Sequence, residues 1–115
     1  GFFDIHVCNW PDRELFFMPL FSTVRYDEIT GIDVHYPDGT TLTTLPMDRY
    51  MLLKRKSKPS KRVFMSEIDV PQSAVDGWYT ATVRLTDGTE ITAKDLVIIS
   101  PHWLYAYWNG AHRAV

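Results

Sequence analysis

Two Asp-x-His pairs are the residues whose types and spacing come closest to a metal site. Asp4 precedes His6, and Asp33 precedes His35, each by two positions. In a β-strand this spacing places both side chains of a pair on the same face. Imidazole and carboxylate ligands suit zinc, copper or iron, so His6 and His35 would form a metal site if their strands were neighbours. Because apolar residues occupy the opposite face of each strand, we favour a solvated polar face and expect no cofactor.

Catalysis by a nucleophile or by an acid–base pair has little support. Cys8 is the only cysteine, which excludes an internal disulfide and a cysteine-based zinc site. We expect this thiol to pack as a small apolar side chain. The chain contains no Gly-x-Ser-x-Gly sequence. Its paired carboxylates, Glu67 with Asp69 and Asp12 with Glu14, lie in polar segments that lack the burial acid–base catalysis needs. We therefore expect no enzyme activity.

A basic segment over residues 54–62 is the sharpest local feature of the chain. It holds half of the 12 Lys and Arg, whereas the 14 Asp and Glu all lie elsewhere. Such a cluster can bind phosphate backbones with a salt-dependent affinity, and it can equally be a solvated hairpin tip. Pro59 and its neighbouring serines favour a flexible loop. The candidate binding residues are Lys54, Arg55, Lys56, Lys58, Lys61 and Arg62.

The aromatic C-terminal segment, residues 101–115, is a second candidate surface. Large, half-polar aromatic side chains are enriched at interfaces. A short helix and a further strand fit this segment equally well, and we expect it to pack either in the domain core or against a partner. Its candidate contact residues are Trp103, Tyr105, Tyr107 and Trp108.

The elements that position these residues are predicted to be β-strands. Residues 32–42 and 81–91 each contain an alternating apolar–polar run, then Asp-Gly-Thr, then a second short run. Asp-Gly between such runs predicts a β-hairpin with a type I′ turn. If the two hairpins lie in opposing sheets, a sandwich is indicated; if they join edge to edge, a barrel is indicated.

Further strands are expected over residues 3–8, 20–26 and 62–70, and residues 50–53 form a short apolar run that enters the basic segment. Pro19 argues against a central strand in the region before residue 20, so we expect an edge segment there. The run Val97-Ile98-Ile99 has no alternation and predicts a strand that is buried on both faces or central in its sheet.

The totals bound the fold class. A chain of 115 residues that is 45% hydrophobic is expected to form one domain over residues 1–115. Seven to eight short strands without a helical period predict an all-β antiparallel sandwich, with a small SH3-like barrel as the alternative. No apolar run reaches the roughly 18 residues of a transmembrane helix. The sequence starts at Gly1, so a secreted or periplasmic location after signal-peptide removal and a cytoplasmic one both remain open.

The sequence Gly77-Trp78-Tyr79-Thr80-Ala81-Thr82-Val83, followed by Thr86-Asp87-Gly88, resembles the F strand and F–G turn of immunoglobulin-like domains. It is most similar to the bacterial and fibronectin-type versions, over residues 62–99. The resemblance implies an immunoglobulin-like sandwich in which the Tyr79 hydroxyl bonds back to the preceding loop. Ala81 stands where antibody domains place their second core cysteine, and the third strand has no tryptophan. Such a resemblance implies a fold and no activity.

These observations together predict a non-enzymatic binding or structural module. We expect it to contact a protein partner or to form a homo-oligomer. The alternative is a small β domain that binds nucleic acid or another polyanion through the basic segment.

Overall fold

The computed structural model describes residues 1–99, in which nine β-strands and one 3-10 turn (Tyr26–Glu28) are found. The aromatic segment 101–115, with its candidate residues Trp103, Tyr105, Tyr107 and Trp108, lies outside the described residues. The strands are β1 (Phe2–Cys8), β2 (Phe16–Thr23), β3 (Ile29–His35), β4 (Thr41–Thr44), β5 (Tyr50–Arg55), β6 (Lys58–Met65), β7 (Ile68–Asp69), β8 (Gly77–Leu85) and β9 (Glu90–Val97).

The strands form two separate antiparallel sheets. Sheet A has the order β1-β2-β6-β5, with β7 also paired to β2, and sheet B has the order β4-β3-β8-β9. The two sheets do not close into a barrel. The predicted all-β antiparallel sandwich is thus confirmed, and the SH3-like barrel alternative is wrong.

The two Asp-Gly segments form hairpins as predicted, but their turn type differs. Gly39 N–H donates to Tyr36 O at 2.9 Å, and Gly88 N–H donates to Leu85 O at 3.0 Å. Of the central turn residues, only the glycines have a positive φ, +90° and +88°. Each connection is therefore a type I turn followed by a left-handed glycine, which is a three-residue hairpin loop and not a type I′ turn.

An Asp–Thr contact explains why the aspartates keep a negative φ. Asp38 Oδ1 accepts hydrogen bonds from Thr40 N–H at 2.9 Å and Thr40 Oγ1 at 2.6 Å. Asp87 makes the same two contacts with Thr89.

Both hairpins lie side by side in sheet B, because β3 pairs with β8. The hairpins thus join edge to edge within one sheet and a sandwich still forms, so the prediction that this arrangement indicates a barrel is wrong.

β2 is a central strand although it contains Pro19, which corrects the edge segment predicted before residue 20. On one side β2 pairs with β1; on the other, residues 20–23 pair with β6 and residues 16–17 pair with β7. Pro19 falls between these last two stretches, and its C=O accepts from Ser66 N–H at 3.3 Å. Because no strand there requires an N–H at this position, the proline removes no ladder hydrogen bond.

The core lies between the inner faces of the two sheets. Val34 and Val83 on sheet B are fully buried, as the alternation predicts. The Phe17 and Tyr79 rings meet across the layers with their centroids 5.4 Å apart. Ile98 is 45% exposed between the buried Val97 and Ile99, so this run is buried on one face only. β9, which ends at Val97, lies at the edge of sheet B, so both the two-sided burial and the central position predicted for this run are wrong. No helix among residues 1–99 has the length and apolar character needed to cross a bilayer.

Candidate functional site

The basic segment is the end of a β-hairpin and not the loop predicted for residues 54–62. β5 and β6 pair from Tyr50 opposite Phe64 to Arg55 opposite Lys58, with a register shift before Arg55. Residues 56–57 form the connecting turn, in which Ser57 has a positive φ of 62°. Five of the six cations of this segment are therefore displayed on two paired strands, and Lys56 lies in the turn between them.

Two of the six candidate cations are held within the hairpin. Arg55 donates from Nε and Nη2 to the Pro59 carbonyl oxygen at 3.1 and 2.9 Å. The Arg62 guanidinium lies 4.5 Å from the Tyr26 ring centroid and 4.2 Å from that of Tyr50. These contacts are cation–π interactions, and they fix Arg62 at the base of the hairpin. Both arginines thus serve the structure of the hairpin.

The four lysines of the hairpin are the cations open to a partner. Lys54, Lys56 and Lys58 are exposed and Lys61 is half-buried. None of them takes part in the ion pairs found within residues 1–99. Since the basic residues gather here while the remainder of the chain is acidic, the hairpin carries a local positive field.

Beside these lysines, β5 exposes apolar side chains on both of its faces. Tyr50, Met51 and Leu52 are 40%, 51% and 45% exposed. Successive strand residues point to opposite faces, so both faces of β5 are partly exposed at this point, although Arg62 and Phe64 contact the Tyr50 ring. Within residues 1–99, β5 pairs only with β6 and is therefore an edge strand. A long, apolar and exposed edge is a feature that natural proteins normally protect. We call the strand Tyr50–Arg55 the β5 edge.

The other strand edges are treated differently. Ile5 N–H, on the outer side of β1, donates to Asp95 Oδ2 of β9 at 2.9 Å, which joins the edges of the two sheets. β4, at the far edge of sheet B, has only four residues, and a short edge offers little for pairing. Within the described residues, the β5 edge is six residues long and pairs with β6 alone.

Asp95 has an unusual electrostatic environment at the junction of the two sheets. Burial raises the pKa of Asp95, and the neighbouring Asp4 carboxyl raises it further, while the Ile5 N–H and the charge of His6 act in the opposite direction. His6 Nε2 lies 2.7 Å from Asp4 Oδ2. The folded protein therefore holds a proton on Asp95 more tightly than the unfolded chain does.

This raised pKa predicts a defined pH dependence of stability. Asp95→Asn is expected to be more stable than the wild type at pH 7, and the difference should shrink as the pH falls towards about 4, the ordinary pKa of aspartate. The reason is that the wild-type carboxylate is disfavoured when charged, whereas asparagine is neutral and keeps an oxygen for Ile5 N–H. Urea unfolding at a series of pH values measures the effect, and a constant difference across this range would contradict it.

The structure does not bring the two histidines together. His6 lies on β1 of sheet A, whereas His35 lies on β3 of sheet B, where its Nε2 is 3.1 Å from Thr82 Oγ1. Asp33 forms an ion pair with Arg84, and Thr44 and this arginine lower the Asp33 pKa through their hydrogen bonds. Among residues 1–99, no group of three His, Cys, Asp or Glu side chains is placed to hold a metal ion. The two-histidine site is therefore not formed.

Two side chains that were considered for catalysis, Cys8 and Glu67, lie in surroundings that do not activate them. Cys8 is half-buried, and burial raises the pKa of its thiol, which lowers the thiolate fraction at neutral pH. Glu67 forms an ion pair with Arg13 at 3.1 Å. Burial thus disfavours the reactive thiolate of Cys8, and the ion pair engages the Glu67 carboxylate.

Sequence reasoning found the cations of the hairpin but missed its apolar edge. The signal was present in Tyr50-Met51-Leu52-Leu53, four apolar residues without alternation directly before the basic run. Exposure on both faces becomes visible only when the strand is seen to lie at the rim of sheet A. Comparison with protein-family models, with curated proteins and with solved structures finds no match to this chain.

Proposed function

We infer that this chain is a protein-binding module and that its contact surface is the β5 edge with the adjoining lysines. The supporting observation is the combination of three exposed apolar residues on one edge strand, Tyr50 to Leu52, with lysines that have no acidic partner among the ion pairs of residues 1–99. A contact surface with an apolar centre and a charged rim is typical of protein interfaces.

Electrostatics suggests which class of protein this surface selects. Lys54, Lys56 and Lys58 surround the tip of the hairpin, so an acidic partner would be steered towards it and a basic one repelled. The rest of the chain carries the acidic residues, which gives the molecule opposite fields in different places. We therefore infer an acidic protein partner.

A photo-crosslinking experiment tests this function. A photoreactive amino acid at Met51 is expected to crosslink a partner protein in an extract of the source cells, because this side chain lies in the inferred surface. The matched control is the same amino acid at Thr92, which is exposed on β9 in the other sheet. Equal labelling from both positions, or labelling from Thr92 alone, would contradict the assignment of the surface.

Self-association and polyanion binding are outcomes of the same experiment. A crosslinked species of twice the 13.3 kDa chain mass would show that the partner is a second copy. Crosslinks at Met51 to nucleic acid in place of protein would favour the nucleic-acid alternative. Either result would overturn an acidic protein as the partner.

A further inference from the structure

The direction of the backbone groups on β5 can be read from two hydrogen bonds of its neighbour. Ser66 N–H donates to Pro19 O of β2, so the backbone of Ser66 points towards β2. Met65 N–H donates to Arg49 O at 3.4 Å, so the adjacent residue points towards the β5 side. In an antiparallel ladder these directions alternate along the strand.

This alternation leaves Tyr50 and Leu52 with outward-facing backbones. Arg49 faces β6 opposite Met65, and the next inward positions are Met51 and Leu53, opposite Val63 and Lys61. Tyr50 and Leu52 lie between them, so each directs an N–H and a C=O away from β6. Within residues 1–99 no strand pairs with this side of β5. Two residues of the β5 edge thus offer backbone donors and acceptors to a further strand.

We propose that an extended, acidic segment of a partner protein adds to the β5 edge as an antiparallel strand of sheet A. The proposal rests on the inferred protein-binding function and specifies how the partner binds. Main-chain hydrogen bonds of strand addition supply affinity, and side chains on alternate faces supply specificity. Tyr50 and Leu52 would contact one face of the added strand, and Met51 and Leu53 the other.

A polypeptide fits this edge better than a nucleic acid does. The outward N–H and C=O groups alternate at the spacing of a peptide strand, and a phosphate backbone has no donors to satisfy the carbonyl oxygens. The side chains exposed beside them are apolar. A polyanion would use the lysines and leave this part of the edge without a contact.

A second copy of the chain fits less well than an acidic partner. Pairing two β5 strands antiparallel about Leu52, whose backbone faces outward, would place Arg55 of one copy opposite Arg49 of the other. Like charges directly opposite each other destabilise a strand pair. Lysines on an edge strand are also the usual protection against self-pairing. The same charges that oppose a second copy attract an acidic strand.

The position of the charges, together with an antiparallel direction, sets the order of residues in the added strand. β5 runs from the apolar Tyr50 to the basic end at Lys54 and Lys56. All strand pairs of sheet A are antiparallel. An added antiparallel strand would therefore place its N-terminal half beside the lysines. The partner segment should have acidic residues first and apolar residues after them.

Synthetic peptides test this proposal on the full chain. The probe is a fluorescent peptide of about eight residues, the length of a typical strand, with Glu and Asp in its first half and Val and Thr in its second. A peptide with every backbone nitrogen methylated keeps the side chains but has no donors. A peptide methylated at alternate residues keeps one complete edge, because successive N–H groups of a strand point to opposite sides.

The expected result is a distinct order of affinities by fluorescence anisotropy. The unmodified and alternately methylated peptides should bind, the fully methylated peptide should bind at least about tenfold more weakly, and so should a peptide with its halves exchanged. Equal binding of the fully methylated peptide would overturn strand addition and leave protein binding at the hairpin in place. Equal binding of the exchanged peptide would overturn the antiparallel direction. Failure of the unmodified peptide to bind would also overturn the proposal.

A pair of charge variants distinguishes peptide binding at the β5 edge from attraction of an acidic peptide to any lysine of the chain. Lys54→Glu is expected to weaken binding of the unmodified peptide about tenfold at low salt, whereas Lys94→Glu, on β9, should leave it within about twofold. Both variants change the net charge by the same amount. Equal weakening by the two substitutions would show non-specific charge attraction and overturn the proposal. The proposal would also be overturned if oligothymidylate displaced the peptide and backbone methylation left the peptide's affinity unchanged, because binding would then be that of a polyanion.

Discussion

Truncation of Tyr79 to alanine is expected to lower the free energy of unfolding by about 3–5 kcal/mol, the usual range for removing a large buried aromatic side chain. Tyr79 is fully buried between the sheets. Its ring lies 5.4 Å from that of Phe17 and 5.8 Å from that of Tyr36, measured between centroids. The substitution would leave a cavity at the point where the two layers meet.

The hydroxyl of Tyr79 contributes separately from its ring. It donates to the Val75 carbonyl oxygen at 2.9 Å. Burial, with smaller effects of Tyr36, Asp76 and Asp38, raises the pKa of Tyr79 to about 12, so the hydroxyl remains protonated and able to donate at neutral pH. Tyr79→Phe keeps the ring and removes this bond, so we expect a loss of about 1 kcal/mol.

Trp78 provides the matched control. It is the preceding residue of β8, but its side chain points to the opposite face, is 51% exposed and contacts Lys94. We expect Trp78→Ala to cost less than about 1 kcal/mol, the range of an exposed cation–π contact. Urea unfolding measures all three variants. A cost for Trp78→Ala as large as that for Tyr79→Ala would mean that the outer face of sheet B is covered.

Tyr79 illustrates what could be predicted from the sequence. The resemblance over residues 77–83 implied that its hydroxyl bonds back to the preceding loop, and the Val75 contact confirms that bond. Alternation correctly assigned Val34 and Val83 to the core. These features are local, since a few consecutive residues determine which face a side chain occupies and where a turn falls.

The missed features depend on contacts that residue propensities do not describe. Pro19 was predicted to lie at an edge because a proline removes one donor, yet sheet A places it where no donor is needed. The sequence of Asp38-Gly39 allows two turn types, and the contact with Thr40 selects one of them. The position of Pro19 cannot be read from propensity alone because it depends on which strands pair with β2. The turn type depends instead on a side-chain contact between residues two apart in the sequence.

The candidate site was predictable to the same extent. The clustering of charge in the sequence identified the basic segment, but it could not show which of the six cations have partners in the fold. The partners that separate Arg62 from the lysines are Tyr26 and Tyr50, which are distant in sequence and meet it only through the pairing of β6 with β2 and β5. The division of the cations into structural and available ones is therefore a property of the fold.

Arg62→Ala is expected to lower the free energy of unfolding by about 1–2 kcal/mol, because it removes two cation–π contacts and the packing of the long aliphatic side chain. Arg62 Nε is buried without a hydrogen-bond partner, so the aromatic rings are what stabilises the guanidinium in this position. Arg62→Lys should recover part of the loss, since an ammonium group keeps the charge but cannot stack as a plane. Urea unfolding measures both effects.

The adjacent Lys61 tests whether the effect belongs to charge or to position. Lys61 lies on the same strand, its side chain points to the opposite face, and it takes part in none of the ion pairs within residues 1–99. Lys61→Ala should therefore change the free energy of unfolding by less than about 0.5 kcal/mol, as is usual for surface substitutions. If Arg62→Ala left stability unchanged but weakened peptide binding as much as Lys54→Glu does, Arg62 would belong to the binding surface. The opposite pattern, lost stability with retained binding at temperatures where the variant is folded, is the one that the two tyrosine contacts predict.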